Sequence, residues 1–342
     1  MKARLFVLFA ATALAATSAG AQGIDTQRCP PGSVNSFGVP DQQRASQDVC
    51  QKAIDLFEYM APQFGTAVAG GNATLGQGGS LGGLGHFSVG IRINAVQGSL
   101  PQIQNVTPSV NGATSTQFDT KTQIIPMPTA DLAIGIFRGL PLAITNVGGI
   151  DLLVSAAYLP EFDESGVSVK LPSGSLKLGY GARVGLLQES LLVPGVSVSY
   201  LQRSLPTVNI VGTNSTQDSI YVSALDVKTK AWRIVASKGL LFVGLAAGFG
   251  QDRYESRTDV GGRVAPRTVP PVPEARVVPV TLTQNMTRTN VFANLSMNLL
   301  LLKLTGEIGQ VSGGTINTFN TFSGKQAADS RIYGSVGARF GF

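Results

Sequence analysis

A chain of 342 residues with 43% hydrophobic side chains and only 13% charged ones is too apolar to be disordered throughout. No run of about 18 apolar residues follows the N-terminus, which excludes helical membrane spans. The net charge of +6 is modest and no basic run accompanies it, which argues against a nucleic-acid partner; one histidine and two cysteines supply too few ligands for a metal centre.

The chain opens on an export signal. Lys2 and Arg4 precede the apolar stretch from Leu5 to Ala16, and Ala19-Gly20-Ala21 fits a cleavage site before Gln22. Cys29 and Cys50 then stand in an oxidising compartment. An even count predicts one disulfide, closing a loop of about 20 residues and contributing roughly 3 kcal/mol; two free thiols is the alternative. Residues 41–60 read as an amphipathic helix, with Val49, Ala53, Ile54, Leu56, Phe57 and Met60 at helical spacing against Gln51, Lys52, Asp55 and Glu58. Pro62 and Gly65 are expected to stop it. A glycine-rich stretch from Gly70 to Gly85 follows. Two readings stand side by side: a periplasmic helix with a flexible lead, or a plug that enters a barrel from below.

From residue 85 the period becomes two. Phe87, Val89, Ile91 and Ile93 alternate with Ser88, Gly90, Arg92 and Asn94, and the same rhythm recurs to the C-terminus. Strands are expected at 85–98, 125–138, 148–160, 174–187, 193–204, 218–237, 241–254, 279–297, 300–312 and 330–342. Each meets the roughly 9–11 residues of a tilted bilayer-crossing strand. Connections alternate long and short, as in barrels with long outer loops and short periplasmic turns. The expected fold is all-β: an antiparallel transmembrane β-barrel of about 10 strands (10–12), with a short N-terminal helical segment. Twelve strands result if residues 64–76 or 99–124 hide strands. Asp226, Lys228 and Lys230 share positions with Trp232 and Ile234, which predicts a bulge near Thr229. The proline-rich connection 255–278 is expected to stay out of the ladder. The division is therefore a signal peptide at 1–21, a periplasmic or plug segment at 22–84 and a barrel at 85–342.

The last residues carry a motif. Ser335-x-Gly337-x-x-Phe340-x-Phe342 resembles the C-terminal signal that the barrel-assembly machinery reads on outer-membrane proteins. The partners expected are outer-membrane lipid and that machinery, and the location expected is the outer membrane of a Gram-negative bacterium. The pieces Leu56 to Gly71, Met127-Pro128 and Lys177 to Tyr200 resemble an uncharacterised family of Gram-negative outer-membrane proteins, a resemblance that implies a barrel and no activity. The architecture is more loosely similar to the long-chain fatty-acid transporters, whose larger barrel holds an N-terminal hatch.

Chemistry is sparse. His86 lies near Ser88 at the start of the first strand, with no third group to complete a triad. Gly78-Gly79-Ser80-Leu81-Gly82 matches a nucleophile elbow by letter, but no strand and helix flank it. No catalytic, cofactor or metal residue is expected, and the chain is not read as an enzyme. By phase, Arg92, Lys177, Arg183, Arg203, Lys303 and Arg339 point into the lumen against Asp131, Asp151 and Glu307. Arg92, Lys303, Glu307 and Arg339 are expected to meet where the last strand closes on the first. They form either a structural ion network or a constriction favouring anions. The leading function is passage of a small solute, apolar ones included, through a narrow lumen gated by the N-terminal segment. The alternative is a non-conducting structural or surface-binding barrel acting through its outer loops.

Overall fold

The computed structural model describes residues 23–33, 36, 41–164, 167–268, 271–272, 274–299 and 301–341. The export signal and Phe342 of the terminal motif lie outside the described residues. Ten long strands dominate: β1 Phe87–Pro101, β2 Thr120–Phe137, β3 Gly149–Tyr158, β4 Leu176–Leu187, β5 Gly195–Ser204, β6 Ser219–Leu240, β7 Val243–Val264, β8 Val280–Leu299, β9 Leu302–Ser312 and β10 Arg331–Gly341. Each pairs antiparallel with its sequence neighbours, and β10 pairs with β1 from Ser88↔Gly341 to Val96↔Tyr333, so the sheet closes into a ten-stranded ring. Closure removes the free edges that would otherwise template aggregation. One mouth, the turn end, carries short connections such as Leu241–Phe242; the other, the loop end, carries the long ones.

Alternation decides the two faces. Leu176, Leu178, Tyr180, Val184 and Leu186 of β4 stand exposed on the outside, while Arg183 is buried inside. Their span, about ten residue steps along a tilted strand, covers roughly 25 Å, the height of a bilayer-facing band. Tyr158, Tyr200 and Trp232 edge this band toward the loop end, and Phe87, Phe137, Phe242 and Phe340 edge it toward the turn end, all of them outward-facing.

The alternation in β6 does not break at Thr229. The register shift lies earlier, between Ser223 and Asp226, where Ala224 has a φ of 51°. Below it the even positions all face outward. Asp226, Lys228 and Lys230 simply stand above the apolar band, paired as Lys228–Asp226 at 3.0 Å and Lys230–Glu255 at 2.9 Å. The connection 255–278 is also more regular than its prolines suggest. Residues 255–264 continue β7, because Pro266 is the first proline of the segment, and Ala275–Arg276 pairs back onto it. Segments 161–173 and 205–217, expected as loops, contain the short strands Phe162–Glu164, Val167–Lys170 and Val208–Thr213. Alternating Val167, Val169, Val208 and Ile210 bury one face there, which extends the sheet above the band on one side.

Helix α1 runs from Gln42 to Ala69, longer than the expected 41–60. Asp41 caps it, accepting from Arg44 N at 2.7 Å. Pro62 does not stop the helix. Proline lacks the N–H that would bond the Glu58 carbonyl, and Gln284 Nε2 of β8 donates to that carbonyl instead, at 3.0 Å. Gly65 is no stop either: a Cβ there would lie 2.6 Å from the Tyr254 ring, so glycine admits the close packing of helix on wall. The helix packs chiefly on β6 and β7 and also touches β1, β2, β5, β8 and β10, which places it inside the ring.

Its first half lies at the loop end. Gln47 and Asp48 accept backbone N–H groups of Ser109, Ala113 and Thr114, and Asp55 accepts from Asn320 N at 2.8 Å, so the helix organises the first and last long loops. Tyr59 stacks on Phe322 at 4.0 Å, and Phe322 stacks on Phe118 from the loop it joins. The Cys29–Cys50 disulfide ties the preceding residues to this half. The segment thus descends from the loop end, rather than entering from below, and the glycine-rich stretch fills the turn-end half.

Candidate functional site: the filled lumen

Helix α1 ends halfway down the barrel, and its last carbonyls have no intrahelical donors. Four wall side chains supply them. Asn94 Nδ2 donates to Ala67 O at 2.6 Å, Arg92 Nη1 to Gly70 O at 2.9 Å, and Arg203 Nη1 to Ala69 O, Gly70 O and Gly71 O at 3.1–3.3 Å. Arg233 Nη2 donates to Ala69 O as well. Three guanidinium groups thus face the negative end of the helix dipole, where cations are favoured.

Buried guanidinium groups need counter-charges. Asp131 accepts from Arg92 Nε at 2.5 Å and lies 3.8 Å from Arg203. Asp252 lies 3.4 Å from Arg233 and accepts from Asn290 Nδ2 at 3.0 Å, while Tyr333 Oη donates to Asn290 Oδ1 at 2.9 Å. The wall and the helix end therefore form one polar layer across the middle of the barrel.

Below that layer the glycine-rich strap, residues 70–86, has no regular structure of its own. The wall holds it by side chains. Arg183 Nη1 donates to Thr74 Oγ1 at 2.6 Å, Lys303 Nζ to Gly76 O at 2.7 Å, and Arg339 Nη1 to Gln77 Oε1 at 2.7 Å. Gly78 N donates to Ser237 Oγ at 2.7 Å and Leu81 N to Asp151 at 3.0 Å. Wall glycines make the room. A Cβ at Gly195 would stand 2.7 Å from Gly79 N, and one at Gly135 or Gly149 would strike Gly83 O or Ser80 Oγ.

Arg92, Arg183, Arg203, Lys303, Glu307 and Arg339 all lie on inward positions, as their phase implies. Lys177 is only half-buried, nearer the loop end of β4, and stands apart from the network. Arg92, Lys303 and Arg339 line one small cavity, but Glu307 does not join them; it is buried one layer higher beside Asn294, its register partner on β8. The expected four-residue cluster is thus three residues, because Glu307 lies four positions beyond Lys303 on the tilted strand. Arg233, Asp252 and Arg288 belong to the lumen as well and were not picked out from the sequence. Their phase gave the signal: Arg233 follows outward-facing Trp232, and Asp252 shares a face with Gly248 and Gly250. His86 is exposed at the turn end while Ser88 is buried, and Ser80 Oγ of the strap donates to Gln188 Oε1, just after β4, at 2.8 Å. Ser335 Oγ donates to Asn94 Oδ1 at 2.8 Å, Gly337 pairs with Arg92, and Phe340 faces outward.

No family model matches this chain, and no curated protein matches it. Solved structures do. The Pseudomonas putida toluene transporter TodX is 10% identical, over 75% of this chain and 67% of its own, with a TM-score of 0.30. OmpT, expressed in the outer membrane of Vibrio cholerae, is 9% identical over 75% and 97%, with a TM-score of 0.22. A Pseudomonas aeruginosa FadL homologue is 7% identical over 75% and 89%, with a TM-score of 0.20. These likenesses are remote, and the barrel assignment rests on the closed ring itself.

Proposed function

We propose that this chain is an outer-membrane barrel, shut at rest by its own N-terminal segment, and that a small solute passes when the strap shifts while helix α1 stays in place. The apolar band, the export signal and the terminal motif support the location. In that setting the turn end faces the periplasm and the loop end faces outward. The observation that carries the gating reading is the division of the filler into two unlike halves. The upper half is a capped helix, stapled by a disulfide and bonded to two loops. The lower half is an irregular strap hung from wall side chains, in space cleared by wall glycines. A barrel of about eight strands is just wide enough to be filled by its own side chains; this ten-stranded one gives half its lumen to a separable segment.

A second reading keeps the barrel closed and places function in the loops. Asp48 and Asp55 favour it, since they build the helix and the first and last loops into one outer surface. Proteoliposome swelling separates the two. Ser237→Ala, Lys303→Gln and Arg339→Gln combined remove three of the strap's holds. Faster entry of small neutral solutes than through the intact protein supports gating by the strap. Unchanged, negligible entry in a correctly folded variant leaves the loop reading.

A further inference from the structure

We propose that the turn-end half of the lumen contains a binding site for a monatomic anion of the halide class. The site is a cavity of about 20 Å³ whose polar lining comes from Ser88, Arg92, Asp131, Lys303, Thr305 and Arg339. Lys303 and Arg339 are directly opposed in the β9–β10 register and both lie on the inner face. Like charges facing one another across a sheet repel. Among the described residues neither has a carboxylate within 4 Å, and their hydrogen bonds go to neutral oxygens, Gly76 O and Gln77 Oε1. Glu189, at the same end of the barrel, bonds Ser237 Oγ and Gly239 N instead. Among the described residues the pair therefore lacks a counter-charge within ion-pair reach.

Two residues of this lining also carry unused donors. Arg92 Nη2 and Thr305 Oγ1 have no hydrogen-bond partner among the described residues, and both residues are only 4% exposed. Leaving such buried donors unmet costs free energy. The single carboxylate on the lining is Asp131: Arg92 Nε bonds one of its oxygens, and the other has no hydrogen bond but lies 3.8 Å from Arg203, so the lining cations Arg92, Lys303 and Arg339 outnumber it. Size then selects the ligand. A cavity needs about 10–15 Å³ to hold one water. This one has room for a single ion or water of that size. The inference holds whether or not the lumen conducts.

Crystals of the folded, full-length mature protein grown with sodium bromide test it directly. The proposal predicts an anomalous bromide peak between Lys303 Nζ, Thr305 Oγ1 and Arg339. It also predicts that the melting temperature in detergent is higher in chloride or bromide than in gluconate at equal ionic strength. That difference should shrink in Thr305→Val, which removes one donor without adding charge, and vanish in Lys303→Gln. A cavity holding only water, with wild-type melting curves that coincide in chloride and gluconate, overturns the proposal, and this wild-type comparison stands even if a variant fails to fold.

Discussion

Arg183 and Asp151 hold one another across adjacent strands, Nη2 2.7 Å from Oδ2, and each also holds the strap. Arg183 reaches Thr74 and Asp151 takes the amide of Leu81. The pair is virtually without solvent exposure, so it joins the wall to the segment inside it. Breaking it from one side leaves a buried carboxylate without its partner, which costs about 3–5 kcal/mol. Arg183→Met is expected to lose that much in denaturant unfolding of the detergent-folded barrel. Arg183→Met with Asp151→Asn, which keeps an oxygen for the Leu81 amide but carries no charge, should recover most of the loss. A double variant no more stable than Arg183→Met would show that the ion pair is not the cause.

Two glycines test how the barrel makes room. Gly65 of α1 sits against Tyr254, whereas Gly306 of β9 has open space where a Cβ would go. Gly65→Ala should destabilise the protein by about 1–3 kcal/mol through overpacking. Gly306→Ala should be nearly neutral. Equal effects in melting experiments would contradict the packing described for the helix.

These positions also show what a sequence reveals and what it hides. The ten strands were readable because a bilayer outside and a polar lumen inside impose a period of two, and because the longest connections fall at alternate junctions. The helix C-terminus was not readable. Pro62 and Gly65 are stop signals locally, and only Gln284 and Tyr254, some two hundred residues away, reverse them. The inward arginines Arg92, Arg183 and Arg203 followed from phase. Their partners did not, since three of the most important are carbonyls at the end of a helix whose position no pattern encodes. Arg233 was available from phase and was obscured by the expectation of a bulge near Thr229.

The disulfide closes a separation of 21 residues at the loop end. Its removal in Cys29→Ser/Cys50→Ser should cost roughly 3 kcal/mol by loop closure. The ring should persist, because its ladder does not involve these residues. The expected result is a lower melting temperature with the folded, heat-modifiable band retained on a denaturing gel. Complete loss of that band would make the staple a requirement for assembly rather than a support.

Glu58 gives the loop end a pH dependence. Burial, with the nearby Asp55 charge adding to it, pushes its carboxyl up to about 7, while Arg28 acts in the opposite direction. A carboxyl whose folded value exceeds its ordinary 4.5 binds a proton more readily in the folded protein. Its contribution to stability therefore falls as pH rises from about 4.5 to 7 and is flat above that range. Asp55, raised by burial despite its bonds to Asn320, acts in the same direction, so the measurement is the difference between wild type and Glu58→Gln. The variant should gain on wild type with rising pH and level off above 7. Parallel curves from pH 4.5 to 8 would rule the group out.

The central claim is that the N-terminal segment, and not the wall, closes the lumen. Single-channel conductance in a planar bilayer tests it most directly, on the intact mature protein and on a form lacking residues 22–80, each checked for folding. The account predicts an intact protein that is shut apart from brief openings and a truncated one that conducts steadily. A folded truncated barrel that stays silent would contradict it, and the outer loops would then carry the function.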